Sequence, residues 1–419
     1  MEIVKINENV HLHIYNTDKF KDVSIFIEFL DNSNKHDQTL RNLLALMLED
    51  SSSLYNSKQA VSNLFNKLYG GGFSISFDIK GCARLMEVRS SFVNGKYVDD
   101  NKLLEKQFKV INEFLLRPLW IDKEYPKELF EELKEKLRQD ISVLNDRPSS
   151  YSNKKADLLY GEYIGIKADM NISDLESIQV SDVIGLYNEI INKSIINIIV
   201  IGDVDSNDIK KFTKLYLNFE NRSSTKEMVY KSNRSEFIEK EEKKKIGQTI
   251  LQLRYKTNKN VLDSDFPSMI IGNGILGTLP TSLLFQEVRE KRSLCYSISS
   301  IVYGYDGIMK ISTGIDYSNL KTVKELISLQ IDKIKTGDYD DSLLETTKKM
   351  YINVYRSNSD SAKSIMWDEY RNFIINDGMS IEKMIDEFKK VSKASIMESF
   401  KNLELVECYV LRQAEENNE

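Results

Sequence analysis

The stretch that decides the fold is Gly272-Asn273-Gly274-Ile275-Leu276-Gly277, followed closely by Ser282-Leu283-Leu284-Phe285-Gln286-Glu287-Val288-Arg289-Glu290-Lys291-Arg292-Ser293-Leu294-Cys295-Tyr296-Ser297. Gly277 breaks one helical pattern, and an apolar stripe of Leu284, Phe285 and Val288 marks a second helix. Arg289 stands at the end of that helix, and Tyr296 opens the strand beyond it. A helix end and the start of the next strand can bring both side chains toward one point.

Arg289 and Tyr296 together offer a guanidinium fork and a phenol hydroxyl. A carbonyl whose oxygen becomes negative during nucleophilic attack needs donors of this kind. The alternative is structural: an arginine that compensates the dipole of a helix end, beside a tyrosine of the core. The residue types alone favour the structural explanation.

The order of elements around this stretch repeats an order seen earlier in the chain. Phe73-Ser74-Ile75-Ser76 matches Tyr296-Ser297-Ile298-Ser299, and each opens the first strand after a pair of helices. A period of about half the chain indicates duplication of a domain. The sequence therefore predicts an α+β protein with two duplicated domains, each a mostly antiparallel sheet with helices packed over one face.

Domain boundaries follow from a polar and charged stretch in the middle of the chain. We predict an N-terminal domain at 1–220, a linker at 221–245 and a C-terminal domain at 246–419. The predicted strands are 11–15, 23–30, 73–80, 84–93 and 195–201 in the first half, and 249–255, 295–303, 308–315 and 405–411 in the second.

The bulk composition excludes several classes of protein. A chain of 419 residues exceeds what one hydrophobic core usually holds. The net charge of −6 and the absence of a polybasic patch argue against a nucleic-acid partner. No apolar run approaches the roughly 20 residues of a membrane span, and Met1–Asn9 lacks the parts of a signal peptide.

The cysteines indicate a reducing compartment. Cys82, Cys295 and Cys408 lie far apart and form neither a Cys-x-x-Cys pair nor a disulfide framework. We therefore predict a cytoplasmic location.

Histidine is too scarce for a familiar metal motif, since only His11, His13 and His36 occur. His11 and His13 stand two apart on a predicted strand and share a face, so with a carboxylate they could bind zinc. The pattern favours the simpler interpretation that both line a polar face of the sheet. No histidine follows His36, so no helical histidine pair with zinc spacing exists.

Gly70-Gly71-Gly72 is a second cluster that could suggest a binding loop. Phosphate loops run from a strand into a helix N-terminus, whereas these glycines follow a predicted helix and precede a strand. We interpret them as a turn, and no cofactor is predicted for this chain.

The segment from Leu284 to Ser297 resembles the second-half signature of the pitrilysin/insulinase (inverzincin) peptidase family, which includes the mitochondrial processing peptidases. That signature is a glycine-broken helix followed by Leu-Phe-x-x-Val-Arg-Glu-Lys-Arg-x-Leu-x-Tyr-Ser. Ile198-Ile199-Val200-Ile201-Gly202-Asp203-Val204 resembles the strand that closes the family's first domain, and Arg117-Pro118 before a long charged helix also fits. The resemblance implies that Arg289 and Tyr296 reach a zinc site and help to bind substrate.

The sequence departs from the family where active members bind zinc. Active members carry His-x-x-Glu-His directly before Met-Leu on the first long helix. Aligning on Met47-Leu48 places Asn42, Ala45 and Leu46 at the His, Glu and His positions. Two ligands and the general base are missing, so the chain cannot make a zinc-bound water of lowered pKa.

An Arg/Tyr pair without a zinc motif is similar to the non-catalytic half of bacterial heterodimers. The resemblance implies a homologous zinc-bearing partner subunit and a peptide substrate. It also implies that this chain forms half of a clamshell-like peptide chamber. In isolation the chain could also form a homodimer. The most similar group is linked by name to elongation-factor-P aminopentanol modification, and a bacteriocin-maturation group is close to it.

Three functional hypotheses remain. The first is a non-catalytic subunit whose Arg289 and Tyr296 act on the partner's zinc site. The second is a peptide-binding or assembly protein with no part in hydrolysis. The third is a self-sufficient metalloenzyme that uses His11, His13 and a carboxylate.

Overall fold

The computed structural model describes residues 1–220, 222, 227–376 and 378–414. The chain divides into two compact units, and neither unit is one continuous stretch. Unit 1 comprises 1–142, 169–227 and 362–370, and unit 2 comprises 143–168, 228–361 and 371–419. The predicted boundaries at 220 and 246 stay a prediction, and residues 221, 223–226 and 415–419 lie outside the described part.

The strands are numbered along the chain. They are β1 Glu2–Asn7, β2 Val10–Asn16, β3 Asp22–Asp31, β4 Gly72–Lys80, β5 Ala83–Val93, β6 Ile195–Gly202, β7 Ile238–Lys244, β8 Thr249–Lys256, β9 Cys295–Tyr303, β10 Ile308–Ile315 and β11 Glu404–Gln413.

The α-helices are numbered in the same way. They are α1 Gln38–Asp50, α2 Lys58–Lys67, α3 Leu103–Leu116, α4 Lys127–Asp146, α5 Pro148–Tyr160, α6 Glu162–Ala168, α7 Ile172–Ser177, α8 Val180–Lys193, α9 Ser206–Tyr216, α10 Phe266–Asn273, α11 Leu320–Thr336, α12 Asp341–Asn358, α13 Ala362–Ile375, α14 Ile381–Lys390 and α15 Lys393–Phe400.

Unit 1 is built on a sheet with the strand order β1-β2-β6-β3-β5-β4. Only β2 and β6 pair in parallel, and the other neighbours are antiparallel. Alternate residues of β3, such as Ile25 and Ile27, face a core shared with Leu44 and Leu48 of α1. The 3.6-residue spacing of the apolar residues in α1 gives that helix one buried face.

The turn between α2 and β4 requires its glycines. Gly70 has φ of +74°, the left-handed conformation that commonly ends a helix, and its N–H donates to the carbonyl of Phe65. A Cβ on Gly71 would lie 2.7 Å from the Phe92 ring. The glycine cluster therefore ends helix α2 and lets the backbone at Gly71 pack closely against the Phe92 ring.

Unit 2 contains a sheet with the order β7-β11-β8-β10-β9. Only β7 and β11 pair in parallel, and the other neighbours are antiparallel. The five strands therefore have the same relative directions as β2-β6-β3-β5-β4 of the unit 1 sheet. Leu251 and Leu253 of β8 pack in a core that includes Ile327 of α11 and Phe400 of α15. The predicted α+β class, with two mostly antiparallel sheets and helices packed on them, is confirmed.

Strand β7 lies within 221–245, the segment that the sequence predicts to be a linker. Its residues are Ile-Glu-Lys-Glu-Glu-Lys-Lys, and it lies at the edge of the sheet beside β11. Charged side chains are common on edge strands because they discourage pairing with other chains. A charged composition is also typical of linkers, so the sequence pattern cannot distinguish an edge strand from a linker.

Candidate functional site

Helix α10 approaches its neighbours closely because its glycines leave room. A Cβ on Gly272 would lie 2.5 Å from the ring of Phe400, and one on Gly274 would lie 2.5 Å from the ring of Tyr351. A π-helical turn, Gly274–Thr278, continues α10. Gly272 and Gly274 thus serve close packing.

A buried polar contact fixes this turn to strand β9. Ser300 Oγ donates to Asn273 Oδ1 at 2.6 Å, and Asn273 Nδ2 donates to the Ser300 carbonyl at 3.2 Å. Thr278 Oγ1 donates to the same carbonyl at 2.8 Å. These bonds position β9, and therefore Tyr296 at its start, against the rigid core of unit 2.

The element that carries Arg289 is a second π-helical turn, Phe285–Glu290. Leu284 and Val288 are fully buried and anchor it in the core, as the apolar stripe predicted. The turn ends at Ser293, whose φ is +50° and whose N–H donates to the Arg289 carbonyl. This left-handed residue reverses the chain into β9.

The reversal places Arg289 beside Tyr296. The guanidinium carbon of Arg289 lies 5.7 Å from the centre of the Tyr296 ring and 4.4 Å from that of Phe285. Both distances are within the range of cation–π attraction. Phe285 is a residue that the sequence analysis used only for packing, although its i, i+4 spacing from Arg289 was the signal for this contact.

Both side chains of the pair face solvent. Tyr296 is 84% exposed and the Arg289 side chain is 37% exposed. Among the described residues neither group makes a hydrogen bond, and the closest carboxylate oxygen to Arg289, on Glu290, is 3.6 Å from Nε. The donors of both side chains are therefore available to a ligand.

The neighbouring cations are engaged elsewhere. Glu287 forms ion pairs with Lys291 at 2.5 Å and with Arg292 at 2.6 Å. Hydrogen bonds from these two cations lower the pKa of Glu287. Of the three cations in the segment 289–292, Arg289 alone is directed at Tyr296.

Cys295 adjoins the pair but is not prepared for nucleophilic chemistry. It is partly buried, and this burial raises the pKa of its thiol, although Thr313 and Arg289 act in the opposite direction. A raised pKa keeps the thiol protonated, whereas the thiolate is the nucleophile.

The three residues aligned with the zinc motif lie on α1 in unit 1, and their side chains have structural roles. Asn42 Nδ2 donates to the Gln38 carbonyl at 2.8 Å. Ala45 is buried, and Leu46 packs against the core. An alanine and a leucine offer a metal no donor atom, so this helix does not fit a zinc ion.

The histidines do not form an alternative metal centre. His13 is fully buried on β2, and its Nε2 lies 3.0 Å from Asn197 Oδ1. Burial lowers the pKa of His13 to about 4. His36 Nδ1 lies 2.6 Å from Asp169 Oδ2. In the described ranges no group of three or more His, Cys, Asp and Glu side chains is arranged to hold a metal ion.

The strand that begins with Tyr296 forms one edge of the unit 2 sheet. Strand β9, Cys-Tyr-Ser-Ile-Ser-Ser-Ile-Val-Tyr, contains no charged residue, whereas β7 at the other edge has six in seven positions. Ile301 and Tyr303 of β9 are exposed. An uncharged edge strand is an open template for an extended segment of another chain.

Comparison with known proteins shows what the chain is similar to. Residues 177–351 match the family described as "Peptidase M16 inactive domain". The chain is 26% identical over 409 residues to "Probable inactive metalloprotease YmfF" of Bacillus subtilis (strain 168), and the match covers 96% of both chains. A solved "conserved protein from Enterococcus faecalis V583" is 26% identical, with a TM-score of 0.93 over 100% of this chain and 99% of the other.

A zinc-bearing relative matches in part. "Uncharacterized zinc protease YmxG" of Bacillus subtilis (strain 168) is 24% identical over 196 residues, which cover 46% of this chain and 47% of that protein.

The fold and the family match therefore relate the chain to the M16 peptidases. The chain is similar to pitrilysin/insulinase-type (M16) peptidases and to a relative named as probably inactive, and the resemblance predicted from the sequence is confirmed. In the part of the chain that is described, no helix has the length and apolarity to cross a membrane.

Proposed function

We propose that this chain is the non-catalytic subunit of a heterodimeric zinc peptidase. Arg289 and Tyr296 would donate hydrogen bonds to the scissile carbonyl of a peptide held at the zinc site of a homologous partner. The chain would also form half of the peptide chamber and act in the cytoplasm.

The observation that carries the proposal is the exposed pair of unused donors on a rigid support. Arg289 and Tyr296 lie side by side, and neither is committed to a structural hydrogen bond. A helix-end arginine with a structural role would hydrogen-bond a carboxylate or a carbonyl, as Arg292 does with Glu287, whereas Arg289 has only the longer 3.6 Å ion pair with Glu290. Donors that are already positioned stabilise a developing oxyanion without reorganisation.

The replaced zinc motif supports a complex in which one subunit contacts the substrate carbonyl and the other activates water. Asn42 is turned to the backbone of its own helix, while Ala45 and Leu46 contribute to packing. A chain with carbonyl-polarising donors but no means to activate water needs a second subunit for hydrolysis.

The position of β9 at the edge of its sheet supports a peptide as the ligand. A peptide paired with β9 in an extended conformation would run past Tyr296 and bring successive carbonyl groups near Arg289. Because β9 carries no charge, its side chains place little restriction on the peptide sequence.

The test is reconstitution with the zinc-bearing homologue from the same genome. Both chains are co-expressed, co-purified and assayed with quenched fluorogenic peptides of mixed sequence, with and without a chelator. We expect a stable complex and chelator-sensitive cleavage that neither chain shows alone. Failure to form a complex, or a partner whose cleavage is indifferent to this chain, would refute the proposal.

Elemental analysis separates the proposal from a self-sufficient metalloenzyme. The purified chain should contain far less than one zinc per molecule, both as wild type and as His11→Ala. Stoichiometric zinc that is lost in His11→Ala would favour the metalloenzyme.

A peptide-binding protein without a role in hydrolysis is the second candidate, favoured by the same uncharged edge. In that case the reconstituted complex would bind peptides, and Arg289 and Tyr296 could be replaced without loss of function.

A further inference from the structure

Helix α1 of unit 1 ends without the groups that usually compensate a helix C-terminus. Its last turn contains no basic residue, and its C-cap, Ser51, is extended rather than left-handed. Among the described residues, none donates a hydrogen bond to the carbonyls of Leu48, Glu49 and Asp50. Because the C-terminus of a helix carries partial negative charge, this end attracts positive charge.

Two carboxylates stand at this negative end, and one of them is unsatisfied. Glu49 Oε1 accepts the N–H of Ile75 at 2.5 Å and is therefore engaged. The Asp50 side chain is only 9% exposed, and its Oδ2 has no hydrogen-bond partner in the described structure. The closest cation is Lys58, whose Nζ lies 4.0 Å from Asp50 Oδ1 and also pairs with Glu132. Burial raises the pKa of the Asp50 carboxyl, because Lys58 compensates the lost solvation only in part.

Two buried hydroxyls next to Asp50 are also left without partners. Ser51 is fully buried and Tyr125 is 5% exposed, and neither hydroxyl oxygen forms a hydrogen bond in the part of the chain that is described. Burial raises the pKa of Tyr125 and Asp50 raises it further, while Ser51 lies close enough to oppose the shift without hydrogen bonding to the phenol. The three groups are therefore neighbours, and their unsatisfied oxygen atoms lie close together inside unit 1.

These three oxygen atoms need a ligand. Burying a polar atom without a hydrogen bond is costly, so a cluster of such atoms in a native protein indicates a bound water molecule or ion. A water molecule could satisfy the hydroxyls, but it would leave the charge of the buried carboxylate uncompensated. A cation meets both requirements, because it binds oxygen ligands and neutralises the carboxylate.

The oxygen ligands indicate which cation fits. The cluster offers one carboxylate, two hydroxyls and main-chain carbonyls, which together carry a single formal negative charge. Calcium sites use several carboxylates, and transition metals prefer imidazole or thiolate ligands. A divalent ion would leave this buried site with net positive charge, whereas a monovalent ion neutralises it.

We propose that Asp50, Ser51, Tyr125 and the last carbonyls of α1 bind a monovalent metal cation, Na⁺ or K⁺. The ion would compensate the C-terminus of α1 and hold the turn after this helix against the segment that carries Tyr125. Asp50 lies one helical turn beyond Leu46, so the cation site shares no residue with the aligned zinc-motif positions. Binding there needs no partner subunit and is independent of the proposed role in peptide hydrolysis.

Ion-dependent stability tests the site on the full chain. Thermal unfolding at pH 8 is compared in sodium, potassium and choline chloride at equal ionic strength, because choline is too large for an enclosed oxygen site. We expect the melting temperature to rise and then level off with the concentration of Na⁺ or K⁺, as for a ligand that binds only the folded chain. It should stay lower in choline, and the metal ion that stabilises at the lower concentration is the preferred one.

Variants that remove one ligand distinguish a bound cation from polar groups without a ligand. Tyr125→Phe and Ser51→Ala each delete one unsatisfied hydroxyl. With a bound cation, both variants should lose most of the stabilisation by Na⁺ or K⁺ and be at least as stable as wild type in choline. Asp50→Asn should abolish the ion dependence. Ser53→Ala, whose hydroxyl bonds to the exposed Asp122, is the matched control and should retain it.

Stabilisation by Na⁺ or K⁺ that disappears in Ser51→Ala and Tyr125→Phe but persists in Ser53→Ala supports the cation site. Equal melting temperatures of the wild type in the three salts would overturn it. A wild type indifferent to the salt but destabilised by both hydroxyl deletions would assign the cluster to a buried water molecule. A gain in stability of Tyr125→Phe in all three salts would show that the hydroxyl has no ligand.

Discussion

The guanidinium of Arg289 lies over the ring of Phe285 and beside the ring of Tyr296, at 4.4 and 5.7 Å from their centres. The arginine is thus oriented by two aromatic rings and leaves its hydrogen-bond donors unoccupied. Such an arrangement orients a planar fork without consuming the groups that would contact a substrate.

Tyr296→Phe removes a single hydroxyl from the surface of unit 2. In the reconstituted complex we expect turnover to fall by about 10²–10³-fold, the usual cost of losing one oxyanion donor. Because the hydroxyl makes no hydrogen bond within the described chain, the melting temperature should not change. Tyr303→Phe, at the far end of the same strand, is the control. Unchanged turnover in Tyr296→Phe would assign the tyrosine a structural role.

Arg289→Lys keeps the positive charge but loses the planar fork and its stacking on Phe285. We expect a clear loss in kcat/KM, because lysine cannot donate two parallel hydrogen bonds. Arg292→Lys is a matched control, since Arg292 is held by Glu287 away from the pair. Similar kinetics for the two variants would contradict the proposed role of Arg289.

The strands and the Arg289 segment were predictable because local patterns determine them. Alternating residues identified β2 and a longer apolar run identified β3. The apolar stripe correctly identified Leu284 and Val288 as buried, whereas Phe285 is only half-buried. The pattern could not distinguish an α-helix from the π-helical turn at Phe285–Glu290, because one extra residue per turn leaves little trace in a single turn.

Long-range features were not predictable from the residues in one window. Arg254 is fully buried under α5, and its partner Asp157 lies 97 residues earlier in the chain. Strand β7 reads as a linker because its charges suit an edge as well as a solvated loop. In both cases the deciding partner is distant in sequence.

His13 should lower the free energy of unfolding as the pH becomes acidic. Burial lowers its pKa to about 4 in the folded chain, whereas an unfolded histidine titrates near 6.5. Between these values the unfolded chain binds a proton that the folded chain does not, so stability falls as the pH falls from 6.5 toward 4. The gap corresponds to at most about 3 kcal/mol.

Urea unfolding at pH 7.5 and 4.5 measures this effect. His13→Gln keeps an amide donor toward Asn197 and should lose less stability than wild type on acidification. Equal losses in the two proteins would show that His13 does not resist protonation.

Glu407 should produce the opposite pH dependence, a free energy of unfolding that falls as the pH rises. It is fully buried on β11, and neither of its carboxyl oxygens has a hydrogen-bond partner in the described structure. Burial raises its pKa to about 7, although Arg254, Arg234 and Lys310 oppose the shift. The folded chain keeps a proton that the unfolded chain releases near 4.5, so stability is lost as the pH rises through 7.

Replacing the carboxyl by an amide removes that loss. Glu407→Gln should be more stable than wild type at pH 8, by up to about 3 kcal/mol, and the advantage should vanish near pH 5. Glu404→Gln, at an exposed position of the same strand, should show no such pH-dependent gain in urea unfolding. A difference between Glu407→Gln and wild type that is the same at both pH values would mean that Glu407 is already ionised in the folded chain and stabilised by Arg254.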